Sequence, residues 1–146
     1  MDSTKFDSLK LEHQLCFPLY AASREVIKQY KPFLDTVDLT YTQYIAMMLL
    51  WEKQAMTSKE MGERLYLDSG TLTPLLKKME EKGLLTRRRL ETDERNLLVT
   101  ITEKGMELRE KAASIPAEMS KCSKLEQEEA MELYRILYKM LERTEK

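Results

Sequence analysis

Residues 67–89 read LDSGTLTPLLKKMEEKGLLTRRR, and residues 93–102 read DERNLLVTIT. Asp68 and Ser69 favour the N-cap of a helix and Gly83 is typical of a helix end, so the first segment predicts a helix that closes at Gly83. The runs LLTRRR and LLVTIT are prone to form strands, and the polar segment ETDERN lies between them. The stretch therefore predicts a helix followed at once by a β-hairpin.

Upstream of this stretch, two capping patterns predict two more helices. Thr57 and Glu60 have the spacing of a capping box and open the segment SKEMGERL, which is predicted to end near Leu67. Thr40 precedes a largely apolar segment that extends to Trp51 and has the composition of a buried core helix. Short helices followed by a hairpin are the order of a winged helix-turn-helix.

Both ends of the chain predict long helices. Apolar residues three and four apart predict a first helix over about 9–30, with a kink near Cys16 because Pro18 lies inside it. Pro32 is expected to break or bend the end of this helix. Two further helices are predicted near the C-terminus, over about 103–121 and 125–143.

The predicted fold is mainly α-helical with a small β-hairpin wing, in a winged helix-turn-helix arrangement. The chain has 146 residues, which fits a single domain, 1–146. Within it, about 40–102 form the winged helix-turn-helix DNA-binding region, and about 1–36 and 103–146 form a helical dimerisation region. The terminal helices carry more apolar surface than a small lobe can cover, which favours a homodimer.

The composition limits the classes of function. A formal net charge of −1 with 34% charged residues argues against a uniformly positive surface, so a nucleic-acid footprint must be local. Two cysteines and one histidine cannot assemble a cysteine–histidine zinc site in one chain, and no metal or cofactor is expected. The sequence has no apolar run typical of a signal peptide or membrane span, so we expect a cytoplasmic protein without a membrane partner.

The polar and basic residues of the predicted helix and hairpin suit DNA binding. The helix can enter the major groove, where base pairs are distinguishable, and the hairpin can lie over phosphates and the minor groove. Pro74 is expected in the first turn of the helix, where proline is tolerated. Arg95 at the hairpin tip can probe a narrow minor groove while Asp93 orients its guanidinium. The candidate DNA-binding residues are Asp68, Ser69, Thr71, Thr73, Lys77, Lys78, Arg87, Arg88, Arg89, Asp93 and Arg95.

The motifs are more specific than the charges, because charge runs on helices and hairpins are often only solvated faces. The segments LTYTQYIAMMLLWE, LDSGTLTPLLKKMEEKGLLTRRR and DERNLLVTITEKG resemble the MarR family of bacterial transcription regulators. With EHQLCFPLYAASREVIKQYKPFLD near the N-terminus, the chain resembles the OhrR group, repressors that sense organic hydroperoxides, and its relatives SarZ and MgrA. The resemblance covers essentially the whole chain. It implies a MarR-like homodimer whose two winged lobes bind a pseudo-palindromic operator in double-stranded DNA.

The resemblance also implies a reactive thiol. In OhrR-like proteins the sensing cysteine occupies the position of Cys16, and tyrosine hydroxyls at the positions of Tyr20, Tyr30 and Tyr41 hold its thiolate. A thiolate is the form that attacks a peroxide, and phenolic donors stabilise its charge. Tyr30 lies about 21 Å from Cys16 along a straight helix at about 1.5 Å per residue, so a dimer partner would have to supply it. The alternative for Cys16 is an inert, buried cysteine.

Cys122 leaves two mechanisms open. Some OhrR-like proteins have a second cysteine late in the fifth helix that traps the oxidised thiol as a disulfide between subunits, whereas single-cysteine members use a low-molecular-weight cellular thiol. Cys122 lies in that region of the sequence. It is either the resolving cysteine or an incidental one.

The sequence thus predicts a redox-sensing transcription regulator, expected to be a repressor, that releases operator DNA when an organic hydroperoxide or other oxidant oxidises Cys16. The alternative is a regulator of the same fold that is controlled by a small phenolic or aromatic effector. An enzyme is not expected, because a thiol peroxidase needs an arginine beside the reactive cysteine and Arg24 is two turns from Cys16.

Overall fold

The structure is a computed structural model that describes residues 4–142, without the side chains of residues 93 and 94. This part of the chain contains seven α-helices and three strands. The elements in chain order are α1 (Cys16–Asp35), α2 (Tyr41–Lys53), β1 (Ala55–Thr57), α3 (Ser58–Leu65), α4 (Ser69–Glu81), β2 (Leu85–Leu90), β3 (Asp93–Ile101), α5 (Glu103–Ala112), α6 (Ile115–Lys121) and α7 (Gln127–Leu141). This is the mainly α-helical, winged helix-turn-helix architecture that the sequence predicts.

Side-chain caps set where four of the helices begin. In each, the side chain before the helix accepts a hydrogen bond from the backbone N–H three residues later, which satisfies a donor that has no partner inside the helix. The four capping residues are Thr40, Thr57, Asp68 and Thr102. The Gln43 side chain also accepts from the Thr40 N–H at 3.1 Å, which completes a capping box. The predicted starts of α2, α3 and α4 are confirmed.

The sheet is antiparallel, with strand order β1-β3-β2. β2 and β3 form the predicted hairpin, in which Arg88 pairs with Leu98. Its turn is shorter than predicted because Leu90 pairs with Asp93, so Asp93 and Arg95 belong to β3 rather than to the predicted loop. The sequence does not predict β1, because three residues are too short to show the alternation of a strand.

The core lies between α2, the helix-turn-helix and the sheet. Its largest fully buried side chains are Met47, Leu50, Met61, Leu76, Met79, Leu85 and Val99. The predicted burial of α2 is confirmed by Met47 and Leu50. Trp51 joins α2 to α5, because its Nε1 donates to the Gly105 carbonyl at 2.9 Å. Gly105 packs so tightly that an added Cβ would lie 2.7 Å from Cγ1 of Ile101.

The start of the first helix differs from the prediction. α1 begins at Cys16 rather than near residue 9, because two 3-10 turns, Asp7–Leu9 and Leu11–His13, precede it. The predicted kink inside the helix is wrong. Pro18 is the third residue of α1, where a backbone N–H would have no partner inside the helix, so a proline costs little there.

The end of the first helix also differs, because α1 continues through Pro32 to Asp35. Pro32 cannot donate the usual hydrogen bond to the carbonyl four residues earlier. Leu34 is buried in the core and Phe33 packs against it. This burial offsets the lost hydrogen bond and holds the last turn in place.

The predicted helix over 103–121 is in fact two helices. α5 ends at Ala112 and α6 begins at Ile115, because Pro116 has no N–H to donate to the Ala112 carbonyl. α7 begins at Gln127, two residues later than predicted. The predicted end of this helix, residue 143, lies outside the described residues.

The apolar faces of α1 and α7 are only partly covered within the chain. Leu15, just before α1, is 81% exposed, and α7 has no buried residue. The exposed apolar side chains include Leu19, Val26 and Ile27 of α1 and Leu133, Ile136 and Met140 of α7. Exposed apolar side chains that recur at helical spacing indicate an interaction face. Between residues 4 and 142, no helix is both long and apolar enough to cross a bilayer.

Candidate nucleic-acid interface and thiol sensor

The helix α4 packs by one face and presents a polar face to solvent. Leu72 and Leu76 are buried in the core. The predicted DNA-binding residues of α4 that are exposed are Ser69, Thr71, Thr73, Lys77 and Lys78. Hydroxyl and ammonium groups therefore cover the accessible side of the helix that the sequence assigns to DNA.

Asp68 is the N-cap residue of α4. Its Oδ1 accepts a hydrogen bond from the Thr71 N–H at 2.8 Å, so the carboxylate caps α4. Pro74 does not lie in the first turn as predicted, since it is the sixth residue of α4. It cannot donate to the Gly70 carbonyl, and burial of the neighbouring Leu75 keeps this part of the helix in place.

The three arginines of β2 have different surroundings. Arg88 and Arg89 are exposed, but the Arg87 side chain is only 19% exposed. Glu80 of α4 forms three hydrogen bonds with Arg87: Oε1 accepts from Nη2 at 3.2 Å and from Nε at 3.3 Å, and Oε2 accepts from the backbone N–H at 2.8 Å. The Arg87 charge is thereby balanced inside the lobe, whereas Arg88 and Arg89 extend into solvent.

A groove separates the start of α4 from the wing. Its lining includes Ser69 and Thr73 of α4 and Arg87 and Arg95 of the wing, and α3 contributes Lys59 and Glu63. Hydroxyl and guanidinium groups are donors that bind phosphate and base edges. The fold thus brings Arg95 to the same concave surface as the candidate residues of α4. The orienting role predicted for Asp93 falls on a side chain outside the described residues.

Asn96 and Ser58 join the wing to the start of α3, a contact that the sequence pattern does not predict. The Ser58 hydroxyl donates to Asn96 Oδ1 at 3.1 Å and accepts from the Leu97 N–H at 3.0 Å. The Lys59 N–H donates to the same Asn96 oxygen at 3.1 Å. Asparagine is disfavoured in strands, and its presence in β3 is the signal that could have revealed it.

A group of tyrosines lies where α1 meets α2. The ring centroids of Tyr30 and Tyr41 are 5.0 Å apart, and those of Tyr30 and Tyr44 are 5.8 Å apart. Burial raises the pKa of all three phenols above the ordinary value of 10.0, and the neighbouring phenols add to the increase for Tyr41 and Tyr44. The three phenols therefore stay protonated and able to donate hydrogen bonds at neutral pH.

Cys16 is the first residue of α1 and is exposed. Tyr20 follows one turn later, and its hydroxyl accepts a hydrogen bond from Arg24 Nη1 at 2.7 Å. Because α1 runs without a break to Asp35, Tyr30 lies about 21 Å along the helix from the cysteine of its own chain. The chain brings Tyr30 and Tyr41 together but holds Tyr30 far from Cys16.

Cys122 follows the last residue of α6 and is also exposed. Its Sγ lies 3.6 Å from the Glu118 carbonyl oxygen. Both cysteines are free thiols. In the described part of the chain, His, Cys, Asp and Glu side chains do not gather into any group of three that could hold a metal ion.

Comparison with known proteins identifies relatives over nearly the whole chain. The family model for the transcriptional regulators SarA/Rot matches residues 28–112. The organic hydroperoxide resistance transcriptional regulator of Bacillus subtilis is 56% identical over 138 residues, which are 94% of each chain. The regulator SarZ of Staphylococcus saprophyticus is 45% identical over 123 residues, 84% of each chain.

The structure is also similar to that of AbfR of Staphylococcus epidermidis. Reduced AbfR bound to DNA superposes with a TM-score of 0.76 at 34% identity, covering 96% of this chain and 97% of that chain. AbfR is also known in an overoxidised, DNA-bound form and in a disulfide form. From these identities and the winged helix-turn-helix fold, we conclude that the chain belongs to the MarR family of transcription regulators, in the group that contains the organic hydroperoxide resistance regulator and SarZ.

Proposed function

We propose that the protein is a homodimeric repressor that releases its operator DNA in the cytoplasm when an organic hydroperoxide oxidises Cys16. The observation that carries the proposal is the exposed thiol of Cys16 at the start of α1, on a helix with an exposed apolar face. Two relatives support it. One is named for resistance to organic hydroperoxide, and AbfR is known both as a reduced protein bound to DNA and in a disulfide form.

A second copy of the chain is the partner that suits the exposed apolar faces of α1 and α7. Burying apolar surface contributes about 25 cal/mol per Å². Symmetric dimers are the commonest oligomers of soluble proteins, and relatives of this fold bind DNA as regulators. We infer that residues 1–36 and 103–146 form the dimerisation region, and that residues 40–102 form the DNA-binding lobe of each protomer.

The dimer would complete the sensor. Cys16 is too far from Tyr30 of its own chain, so Tyr30 and Tyr41 of the partner subunit would approach the sulfur instead. The N-terminal end of a helix favours negative charge, and Cys16 is the first residue of α1. Neutral phenols can donate hydrogen bonds to a thiolate without adding a positive charge. Tyr20, one turn along the same helix, is the third expected donor.

The chemistry is a two-electron oxidation of sulfur. The Cys16 thiolate attacks the terminal oxygen of the hydroperoxide, and the O–O bond breaks as the S–O bond forms. The alkoxide takes up a proton and leaves as an alcohol, while the sulfur remains as a sulfenic acid. One hydroperoxide is consumed for each thiol, so the step is stoichiometric and the protein is a sensor rather than an enzyme.

The sulfenic acid would then be trapped as a disulfide. We propose Cys122 of the partner subunit as the second thiol, because Cys122 is exposed and AbfR, 32% identical in that comparison, is known in a disulfide form. Its sulfur attacks the Cys16 sulfenic acid, the S–S bond forms, and water leaves. A low-molecular-weight thiol would perform the same reaction in place of Cys122.

The DNA contacts would come from α4 and the wing. Ser69, Thr71 and Thr73 would face the major groove, and Lys77 and Lys78 would reach phosphates. Arg88, Arg89 and Arg95 would lie over the flanking phosphates and the minor groove. Because both lobes must fit one duplex, a change in their spacing at the oxidised dimer interface would release the DNA.

A second candidate is control by a small aromatic or phenolic effector. It is favoured by a cavity between α2 and the α5–α6 break, whose lining includes Tyr44, Met48, Trp51, Glu52, Arg109 and Pro116. Apolar and aromatic walls with one cationic and one anionic group suit a phenolic ring, whose hydroxyl can accept a hydrogen bond from Arg109 or donate one to Glu52. Effector control would survive the change Cys16→Ser, whereas peroxide control would be lost.

The test of the proposed function combines two readouts on one sample. The protein is bound to a duplex that it selects from a randomised library, and then treated with cumene hydroperoxide. Gel mobility reports DNA release, and intact mass reports the product at sulfur. We expect release together with a gain of one oxygen or a disulfide at Cys16. Release with unmodified Cys16 would refute the sensor assignment.

A further inference from the structure

We propose that Asn96 and Ser58 are positioning residues for DNA binding. Their side chains fix the wing to the first turn of α3 and thereby hold Arg95 over the groove beside α4. The inference rests on the proposed DNA-binding function and deepens it. Both residues also line the groove, and the inference assigns them a part in recognition that acts through the neighbouring Arg95 side chain.

The Asn96 carboxamide acts as a second cap for α3. The Thr57 side chain satisfies the Glu60 N–H at 3.1 Å, and Asn96 Oδ1 satisfies the N–H of Lys59, the second residue of the helix. The first N–H groups of a helix have no partner inside it, and here β3 supplies one of them. The start of α3 is therefore built partly from the wing.

The Ser58 hydroxyl of α3 binds β3 in turn. It donates to Asn96 Oδ1 and accepts from the Leu97 N–H, so one side chain contacts both a side chain and the backbone of β3. These contacts span about forty residues of sequence, and they are not part of the strand ladder. Wing and helix are thereby held as one unit.

The position of this link along β3 explains its importance. The third strand, β1, supports β3 only from Thr100 to Leu98, where Leu98 pairs with Thr57. Beyond Leu98 the wing is a two-stranded hairpin, and an isolated hairpin is only marginally stable. Leu97 and Asn96 are the next two residues toward the tip of the hairpin. The contacts with Ser58 therefore extend the support of β3 as far as Asn96, which is next to the exposed Arg95.

The link holds the part of β3 that carries Arg95. This arginine lines the groove with Ser69 and Thr73, and its backbone is continuous with Asn96. Ordering a long, rotamer-rich side chain and its strand on binding costs free energy. A strand that is already held in place before binding loses less conformational entropy, so this cost is smaller. Without the link, the arginine would still be present, but the strand that carries it could move relative to α4.

The test uses full-length reduced protein and the duplex selected by the wild type from a randomised library, with unselected library DNA as the nonspecific comparison. The variants are Asn96→Ala, Ser58→Ala and Arg95→Ala, the double variant Asn96→Ala/Arg95→Ala, and the conservative variant Ser58→Thr. Thr86→Ala removes an exposed side chain from the other strand of the hairpin and is the matched control. Each variant is measured over a range of salt concentrations.

We expect Asn96→Ala and Ser58→Ala to weaken binding of the selected duplex about tenfold, as expected for losing one or two hydrogen bonds that preorganise the site. The dependence of affinity on salt should not change, because no cation is removed. Ser58→Thr and Thr86→Ala should bind like the wild type. Arg95→Ala should weaken binding less in the Asn96→Ala background than in the wild type, because a residue that acts through Arg95 loses its effect with it.

Additive effects of Asn96→Ala and Arg95→Ala would overturn the positioning role, and so would unchanged affinity of Asn96→Ala. Hydrogen exchange of the DNA-free protein tests the link between wing and α3 separately from its effect on DNA binding. The Lys59 amide should exchange faster in Asn96→Ala, and the Leu97 amide should exchange faster in Ser58→Ala. If these amides respond but the wild type selects no duplex, the DNA-binding function has failed rather than the link.

Discussion

Tyr30 and Tyr41 meet edge to face with ring centroids 5.0 Å apart, although one belongs to α1 and the other opens α2. The capping box of Thr40 and Gln43 sets where α2 starts and therefore also places the Tyr41 ring. The pair joins the helix that carries Cys16 to α2, a helix of the lobe that we propose binds DNA. A displacement of α1 at the dimer interface would thus act directly on the lobe.

The same tyrosines predict how stability depends on pH. Because burial raises the pKa of Tyr30, Tyr41 and Tyr44, the unfolded chain loses these protons near pH 10.0 while the folded chain still keeps them. The free energy of unfolding should therefore be constant with respect to these groups below pH 10.0 and fall as the pH rises through the folded pKa values. Urea denaturation from neutral pH to above pH 10.0 measures this.

The variant Tyr41→Phe provides the control for that measurement. It removes one titrating hydroxyl and keeps the ring that packs on Tyr30. Its stability should fall less steeply above pH 10.0 than that of the wild type. Equal slopes for the two proteins would show that Tyr41 does not contribute.

Two arginines of the wing should respond differently to alanine. Arg95 lines the groove, so Arg95→Ala should weaken DNA binding and reduce the salt slope of affinity by about one unit. Arg87 is paired with Glu80, so Arg87→Ala should lower the free energy of unfolding by about 1 kcal/mol and change the slope less. Fluorescence anisotropy at several salt concentrations distinguishes them, and an unchanged slope for Arg95→Ala would remove it from the interface.

Close packing at Gly105 gives a prediction for stability. A Cβ at this position would overlap the Leu84 carbonyl oxygen and lie 2.7 Å from Ile101 Cγ1. Gly105→Ala should therefore destabilise the fold by about 2 kcal/mol and lower the Tm. Gly70 is the matched control, because its Cβ would lie 3.4 Å from Asp68 Oδ1, an ordinary contact. Similar thermal shifts for the two variants would contradict the packing argument.

The helix starts were predictable from the sequence because their determinants are local. Thr40, Thr57 and Asp68 each bind a backbone group three residues away, and such spacing is visible in the sequence. Prolines were not predictable in the same way. Pro32 lies inside a helix and Pro116 at a break, and the difference depends on the burial of neighbours such as Leu34, which only the folded chain shows.

In the candidate site too, features set by local sequence were predictable, and features set by contacts between elements were not. The exposed polar face of α4 follows from helical periodicity, so Ser69 and Thr73 were predictable. The surroundings of Arg87 and the role of Asn96 depend on partners in other elements, Glu80 of α4 and Ser58 of α3. The positions matching a sensing cysteine and its tyrosines came from resemblance, because no spacing within one chain brings Tyr30 to Cys16.

Cys122 can be tested by the product that forms after oxidation. In the wild type, hydroperoxide should give a disulfide-linked dimer on non-reducing electrophoresis, because Cys122 of the partner subunit traps the sulfenic acid. Cys122→Ser should give no such dimer and should retain a sulfenic acid or an adduct of an added small thiol. A linked dimer of undiminished amount in Cys122→Ser would exclude the resolving role.

The most direct measurement of the central claim compares the wild type with Cys16→Ser on the selected duplex before and after cumene hydroperoxide. Serine keeps the size of the side chain but cannot be oxidised in this way, so both reduced proteins should bind with similar affinity. Hydroperoxide should release the wild type and leave the Cys16→Ser complex intact. Release of Cys16→Ser at the same hydroperoxide concentration would contradict the account.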